Sequence, residues 1–208
     1  MRCVVVGMGV QGVKRQRAAS PKTCITVDNA GENVDFRDIR KVPLDSFEVA
    51  YLCTPDAVKF DTASYLLEHG KHVLVEKPFT LQPSQYDDSS SLQNSSMSTL
   101  YVAYNHRFEP HIAAAKEILD SGELGDPYTV SLSYGNGTAE LVRLSEWRDT
   151  GMGVIADLGS HLLDIVDFWW GLDGQHMDFI DARKVENRAF DYAAFRMNGV
   201  PNVWGEAT

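Results

Sequence analysis

Three groups of residues in this chain have types and spacings suited to chemistry. Gly7, Gly9 and Gly12, in "VVVGMGVQG", directly follow a buried-strand pattern and open a helix. In such a setting the first glycine makes a tight turn, the second lets the backbone approach a pyrophosphate, and the third lets helix pack on strand. Met8 and Val10 stand between them, where the free amides and partial positive charge of a helix N-terminus meet an anion. Asp28 ends the next strand-like run 21 residues after Gly7, near the offset of roughly 20 expected for an acid that binds a ribose 2′-hydroxyl. A carboxylate there repels a 2′-phosphate, and the sequence shows no arginine beside it. An Asx turn before Asn29 is the structural alternative.

The second group is Glu76, Lys77 and Pro78, in "LVEKPFT", directly after the apolar run "HVLV". Residues just past the carboxyl end of a parallel strand face the cleft of an open sheet; a surface Glu-Lys pair before a helix-breaking proline is the plainer reading. The third group lies in "IADLGSHLLDIVDFWW". At about 100° per residue, Ile155, Leu158, Leu162, Ile165 and Trp169 form an apolar face, and Asp157, His161 and Asp164, with Phe168, form a stripe about 120° from it. A histidine titrating near neutrality can exchange a proton with a substrate. A solvated face and a structural His-Asp pair are the other uses. No cysteine or second histidine has spacing that matches a metal site, so no metal is expected.

Positioning these groups calls for a parallel sheet. The first half alternates "RCVVVG", a helix, "CITVD", "VAYLC", a helix from about Ala57 to His69, "HVLV", a polar segment and "LYVAY", the pattern of strands wound with helices. "VDNAGENVDFRDIRKVP" lacks apolar periodicity and reads as loop or stunted helix, which abbreviates one crossover. The serine-rich stretch Pro83 to Thr99 reads as a weak helix, because parallel strands need a covering connection. After Tyr104 come a helix from about Pro110 to Ser121, the strand "YTVSLSY", a Gly-rich loop, a helix from about Ile155 to Trp170, and strand-like runs. These divide the chain into a domain over 1–104 and an α+β domain over 105–208.

The 208 residues, 44% hydrophobic and 23% charged, have the composition of an ordinary globular protein. A net charge of -10 repels phosphate backbones, so no nucleic-acid partner is expected. The basic run "KRQR", Lys14 to Arg17, reads as a solvated helix face, with a phosphate contact as the alternative. Cys3, Cys24 and Cys53 lack CxxC spacing and read as reduced core thiols. No signal peptide precedes the first strand and no apolar run approaches the roughly 20 residues of a bilayer span. No membrane partner and a cytoplasmic location are therefore expected.

"TP" (Thr54, Pro55), "EKPF", "YNHRFEP" (Tyr104 to Pro110) and "ADLGSHLLD" (Ala156 to Asp164) together resemble the Gfo/Idh/MocA family of NAD(P)-dependent oxidoreductases over nearly the whole chain. The resemblance implies an α/β protein: a Rossmann-type parallel sheet domain that binds the dinucleotide, then an incomplete α+β domain with a mainly antiparallel open sheet. It implies hydride transfer between nicotinamide, NAD rather than NADP, and a hydroxyl-bearing carbon of a sugar, sugar nucleotide or inositol. By carry-over, Gly7, Met8, Gly9, Val10, Gly12, Asp28, Thr54 and Pro55 bind the cofactor, and Glu76 lies near the nicotinamide ribose. Lys77 meets both cofactor and the substrate hydroxyl, and the Lys77–Pro78 bond is cis. His161 does acid-base work with Asp157 and Asp164 as neighbours, and Asn105 and Arg107 face the substrate. Trp147 and Arg148, in "SEWR", approach the nicotinamide, or else are an aromatic anchor and a surface arginine.

The chain also departs from the family pattern. Lys59 stands where a histidine is usual, the helix after the second strand is eroded, and the sequence stops inside the second domain, with "VWGEAT" as its last residues. A sheet cut short is expected to leave "FDYAAF" and "NVWGEA" with unpaired edges. A homo-oligomer through the face of that sheet is expected from the resemblance. A truncated or degenerate relative that binds the dinucleotide or a partner without turnover is the alternative function.

Overall fold

The computed structural model describes residues 2–19, 24–82, 84–85, 97–145, 149–172, 176–199 and 201–208. The chain divides into two compact units, Met1–Ala103 and Tyr104–Thr208.

The first unit is a five-stranded parallel sheet. Its strands are β1 (Cys3–Val6), β2 (Cys24–Val27), β3 (Val49–Leu52), β4 (His72–Val75) and β5 (Leu100–Val102), in the order β2-β1-β3-β4-β5. Every residue of β1 is buried, which is why it reads as a continuous apolar run without alternation. Helices α1 (Val10–Ala18) and α2 (Asp56–Glu68) follow β1 and β3. Val4, Val6, Val27, Leu52, Leu66, Val75 and Phe47 form the main core, and Cys3, Val5 and Cys24 a smaller one. All three cysteines are free, and burial pushes the Cys24 and Cys53 thiols up to about 12, which keeps them inert. The β2 to β3 connection is abbreviated to 3-10 turns at Ile39–Lys41 and Leu44–Ser46. It still covers the sheet, because Ile39, Val42 and Phe47 are buried. Most of the serine-rich segment expected to be a weak helix lies outside the described residues.

The second unit begins with α3 (Pro110–Ser121), which has proline in its first turn and ends on Gly122 at φ 75, the arrangement those residues favour. β6 (Thr129–Tyr134) and α4 (Ala139–Arg143) follow. A π-helical turn at Ile155–Gly159 then runs into α5 (Ser160–Trp170). The expected single α-helix from Ile155 is thus corrected at its start. Bonding of the i→i+5 type underwinds that turn, so the spacing of about 100° that aligns Asp157 with His161 does not carry across Gly159. β7 (His176–Arg183), β8 (Tyr192–Asn198) and β9 (Asn202–Ala207) complete a sheet ordered β6-β9-β8-β7, antiparallel except between β6 and β9. Its buried face carries Ala193, Phe195, Met197 and Val203 against Leu158, Leu162 and Val166.

One edge expectation is overturned. "FDYAAF" runs into β8 and "NVWGEA" is β9, and each of these strands is paired on both sides. Alternation of apolar and polar residues suits any strand with one buried face, interior or edge, so the pattern could not tell the two apart. Among the described residues no helix is long and apolar enough to cross a membrane.

Gly205 of β9 pairs with Phe195 of β8, and a Cβ on Gly205 would fall inside the buried Phe195 ring. Gly205→Ala should therefore cost about 1–3 kcal/mol by overpacking, read as a lower denaturant midpoint. Phe195→Leu in the same chain should recover part of the loss.

Candidate functional site

The parallel sheet lines up its carboxyl ends. Beyond β1, β3, β4 and β5 the ladder continues by one bond each: Gly7 N–H to Val27 O and Cys53 N–H to Val6 O at 2.8 Å, Glu76 N–H to Leu52 O and Ala103 N–H to Val75 O at 2.8 Å. Gly7, Asp28, Thr54 and Glu76 are thereby set at one end of neighbouring strands.

The three glycines of the turn meet different surroundings. Gly7 has φ 92, and a Cβ there would lie 2.6 Å from Cys53 O. A Cβ on Gly12 would fall on the Gly7 carbonyl. Both are required by packing. Around a Cβ on Gly9 nothing lies within 4 Å, so the fold itself makes no demand for glycine at that position. Gly9 also caps the N-terminus of α1 with no side-chain bond, leaving first-turn amides to attract an anion. Met8 packs beside Cys3 and Val5, while Val10 is exposed. Among the described residues Thr54 Oγ1 is buried without a hydrogen-bond partner, and Pro55 precedes the first turn of α2. An open-faced glycine, a helix N-terminus and a spare hydroxyl fit a dinucleotide's phosphates and sugars.

Asp28 makes the Asx turn and more. One carboxylate oxygen accepts from Met8 N–H at 2.7 Å, and the other from Ala30 and Gly31 N–H at 2.9 and 2.7 Å. These amides, that of Met8 foremost, hold its carboxyl below the usual carboxylate range. The expectation that no arginine stands beside it is corrected: Arg37 donates to the Gly31 carbonyl and, at 3.5 Å, to the Asp28 carbonyl. It is nine positions away in sequence, and a turn of the chain brings it back.

The basic run on α1 also needs correcting as a purely solvated face. Arg15 is half-buried and binds Glu76, Nε and Nη2 each 2.7 Å from Oε1. Lys77 follows, and its bond to Pro78 is cis. Lys59, which stands where the family usually has a histidine, is buried in α2; its Nζ donates to Asp56 Oδ1 and Pro78 O, both at 2.6 Å. A buried lysine must be paired, and here the pairing anchors the Glu-Lys-Pro segment.

The second unit holds its own cluster. His161, 4% exposed, meets the ring of His106 edge-on at 4.3 Å between centroids, with Tyr104 at 5.6 Å and Tyr134 at 6.0 Å. Burial pushes both tyrosine hydroxyls up, and at Tyr134 the charges of Asp157 and Glu109 add to it. His106 Nδ1 lies 2.5 Å from Glu109 Oε1. Sequence reading missed His106 and Glu109; the signal was an i, i+3 His-Glu pair inside "NHRFEP". Among the described residues no group of three or more His, Cys, Asp or Glu could hold a metal. Asn105 is exposed at the start of the 3-10 turn His106–Phe108. Trp147 and Arg148 lie outside the described residues.

Arg107 is committed to α5. Its Nε lies 2.8 Å from both Asp164 oxygens, its Nη2 lies 2.7 Å from Asp167 Oδ2, and its guanidinium stands 5.5 Å from the Phe168 ring centroid. Asp164, chiefly, and Asp167 hold Arg107 protonated, while burial pushes the Asp164 carboxyl up against the pull of the guanidinium. Arg107→Met would leave Asp164 buried without its cation and should cost about 3 kcal/mol of folding stability. Adding Asp164→Leu should recover most of it, since apolar replacement of both partners is close to neutral.

Residues 10–104 match the model described as "Oxidoreductase family, NAD-binding Rossmann fold", and residues 112–196 match "GFO/IDH/MocA C-terminal domain". An uncharacterized oxidoreductase of Schizosaccharomyces pombe is 34% identical over 57% of this chain and 32% of its own. The scyllo-inositol 2-dehydrogenase (NADP(+)) of Bacillus subtilis is 25% identical over 71% of this chain and 41% of its own. The chain thus spans less than half the length of these curated relatives. An Agrobacterium radiobacter oxidoreductase, solved in complex with NAD+, L-tartaric acid and magnesium, shares the fold with a TM-score of 0.87 at 18% identity, over 100% of this chain and 66% of its own. With matches to both domains of one family over 10–104 and 112–196, the chain belongs to the GFO/IDH/MocA oxidoreductases.

Proposed function

We propose that this chain is an NAD-dependent oxidoreductase acting on a CH–OH group of a sugar, sugar nucleotide or inositol, with Met1–Ala103 as its dinucleotide domain and Tyr104–Thr208 as its substrate domain. The observation that carries this reading is Gly9: close packing requires glycine at positions 7 and 12, whereas position 9 is an open-faced helix N-cap, where close approach of a ligand gives glycine its use. The α1 amides receive the pyrophosphate, Asp28 accepts from the ribose hydroxyls, and Thr54 Oγ1 supplies a further polar contact. Bound nicotinamide would supply the electron-pair acceptor for the carbinol C–H.

The chain's own residues handle the proton and the charge. Lys77 donates a hydrogen bond to the reacting oxygen and steadies its negative charge. His161 takes the hydroxyl proton, with His106 against its ring and the charge of Asp157 acting at Tyr134 beside it. Arg107 fixes the helix that carries His161, and Asn105 is left as the exposed polar contact for substrate. The substrate class is supported by the polyol named for the Bacillus subtilis relative.

Titration with NADH and NADPH tests the cofactor assignment: NADH should bind more tightly, and tighter NADPH binding would sink it. Gly9→Ala should lower the unfolding midpoint only slightly, by the loss of a favoured N-cap residue, and weaken NADH by more than about tenfold, whereas a fold that collapses would show that Gly9 is structural after all. Lys77→Met should abolish turnover of a polyol or sugar panel with NADH affinity within about twofold of the parent. Dinucleotide binding by the parent without turnover of any substrate in the panel would support the non-catalytic alternative.

A further inference from the structure

Arg37 belongs to no motif, yet the fold delivers it to the end of β2. After Asp28 the chain makes a compact loop, with Asn33 in the left-handed region at φ 56. It returns so that Phe36 bridges Val27 in parallel sense. Asp28 N–H donates to Phe36 O at 3.1 Å, and Asp35 and Phe36 N–H donate to Thr26 O at 3.1 and 3.0 Å. The loop is locked by Asp35, whose Oδ2 accepts from Thr26 N–H and Oγ1, each at 2.8 Å. Gly31 allows the closure, since a Cβ there would lie 3.0 Å from the Asp28 Cβ. Phe36 packs on the core and Ile39 is buried, so the backbone on either side of Arg37 is fixed.

The side chain is exposed. Its Nη1 donates to the carbonyls of Gly31 and Asp28, and among the described residues no bond is formed by its Nε or Nη2. Those carbonyl contacts hold the guanidinium beside Asp28 with a donor edge to spare. Asp28 already accepts from three backbone amides, which disperse part of the negative charge that would repel a phosphate.

We infer that Arg37 is a specificity-determining residue that admits NADP(H) as a second cofactor, its guanidinium receiving the 2′-phosphate next to Asp28. This rests on the dinucleotide reading of the first unit. A planar fork suits phosphate and binds it as a charge-assisted pair. Asp28 still favours the free ribose hydroxyl, so Arg37 narrows the discrimination between the two cofactors without reversing it.

Fluorescence titration of the full chain with NADH and NADPH, in the parent, Arg37→Ala and Arg37→Gln, tests this. Glutamine keeps a donor for the Gly31 carbonyl but no charge. Both variants should weaken NADPH by about tenfold or more and leave NADH within about twofold, and the parent's NADPH affinity should fall with added salt more steeply than its NADH affinity. Unchanged NADPH affinity in both variants would overturn the inference, as would an equal loss for both cofactors, which would make Arg37 merely a loop support. If neither cofactor binds the parent, the dinucleotide reading falls and this inference with it; NADH binding with NADPH indifferent to Arg37 defeats this inference alone.

Discussion

The constraint on which the first unit depends is the absence of two side chains at the exit of β1. The chain leaves the strand, turns at Gly7 against the Cys53 carbonyl, and enters α1 with Gly12 against the Gly7 carbonyl. Any Cβ at either place would force β1 away from β3 or α1 away from the sheet. With both contacts closed, the strand ends fall into register, and Gly7, Asp28, Thr54 and Glu76 are set by backbone hydrogen bonds with little dependence on flexible side chains. A site on strand ends is held more rigidly than one on loops.

Around that row the charges are tied down. Glu76 is held by Arg15 from α1, and the Pro78 carbonyl by Lys59 from α2. The Glu-Lys-Pro segment is therefore braced by both helices that follow the central strands. A similar economy governs Tyr104–Thr208, where Arg107 joins the turn before α3 to Asp164 and Asp167 of α5. His161, three residues before Asp164, is fixed by the same helix and by the His106 ring.

Local patterns in the sequence carried much of this. The parallel sheet was legible because its strands are short apolar runs, buried almost throughout in β1 and β2, that alternate with helical patterns, and the glycine turn was legible because its spacing reflects steric contacts. Long-range partners were not. Arg37 reaches Asp28 only because Phe36 bridges Val27, and no periodicity encodes that bridge. Arg15 looked solvated because its partner, Glu76, is 61 positions away. The His161 stripe was drawn with a regular helical period, and the π turn at Ile155–Gly159 breaks that period before Asp157 can align. The interior position of β8 and β9 depends on pairing order, which alternation does not record.

The central claim is that the fold leaves Gly9 open for a ligand that spans the strand ends. Backbone amide hydrogen exchange with and without NADH measures this directly. Slowed exchange concentrated at Gly9 to Gly12, at Asp28 to Gly31 and at Thr54 is the expected result. Exchange slowed elsewhere in the chain, with those amides unaffected, would contradict it.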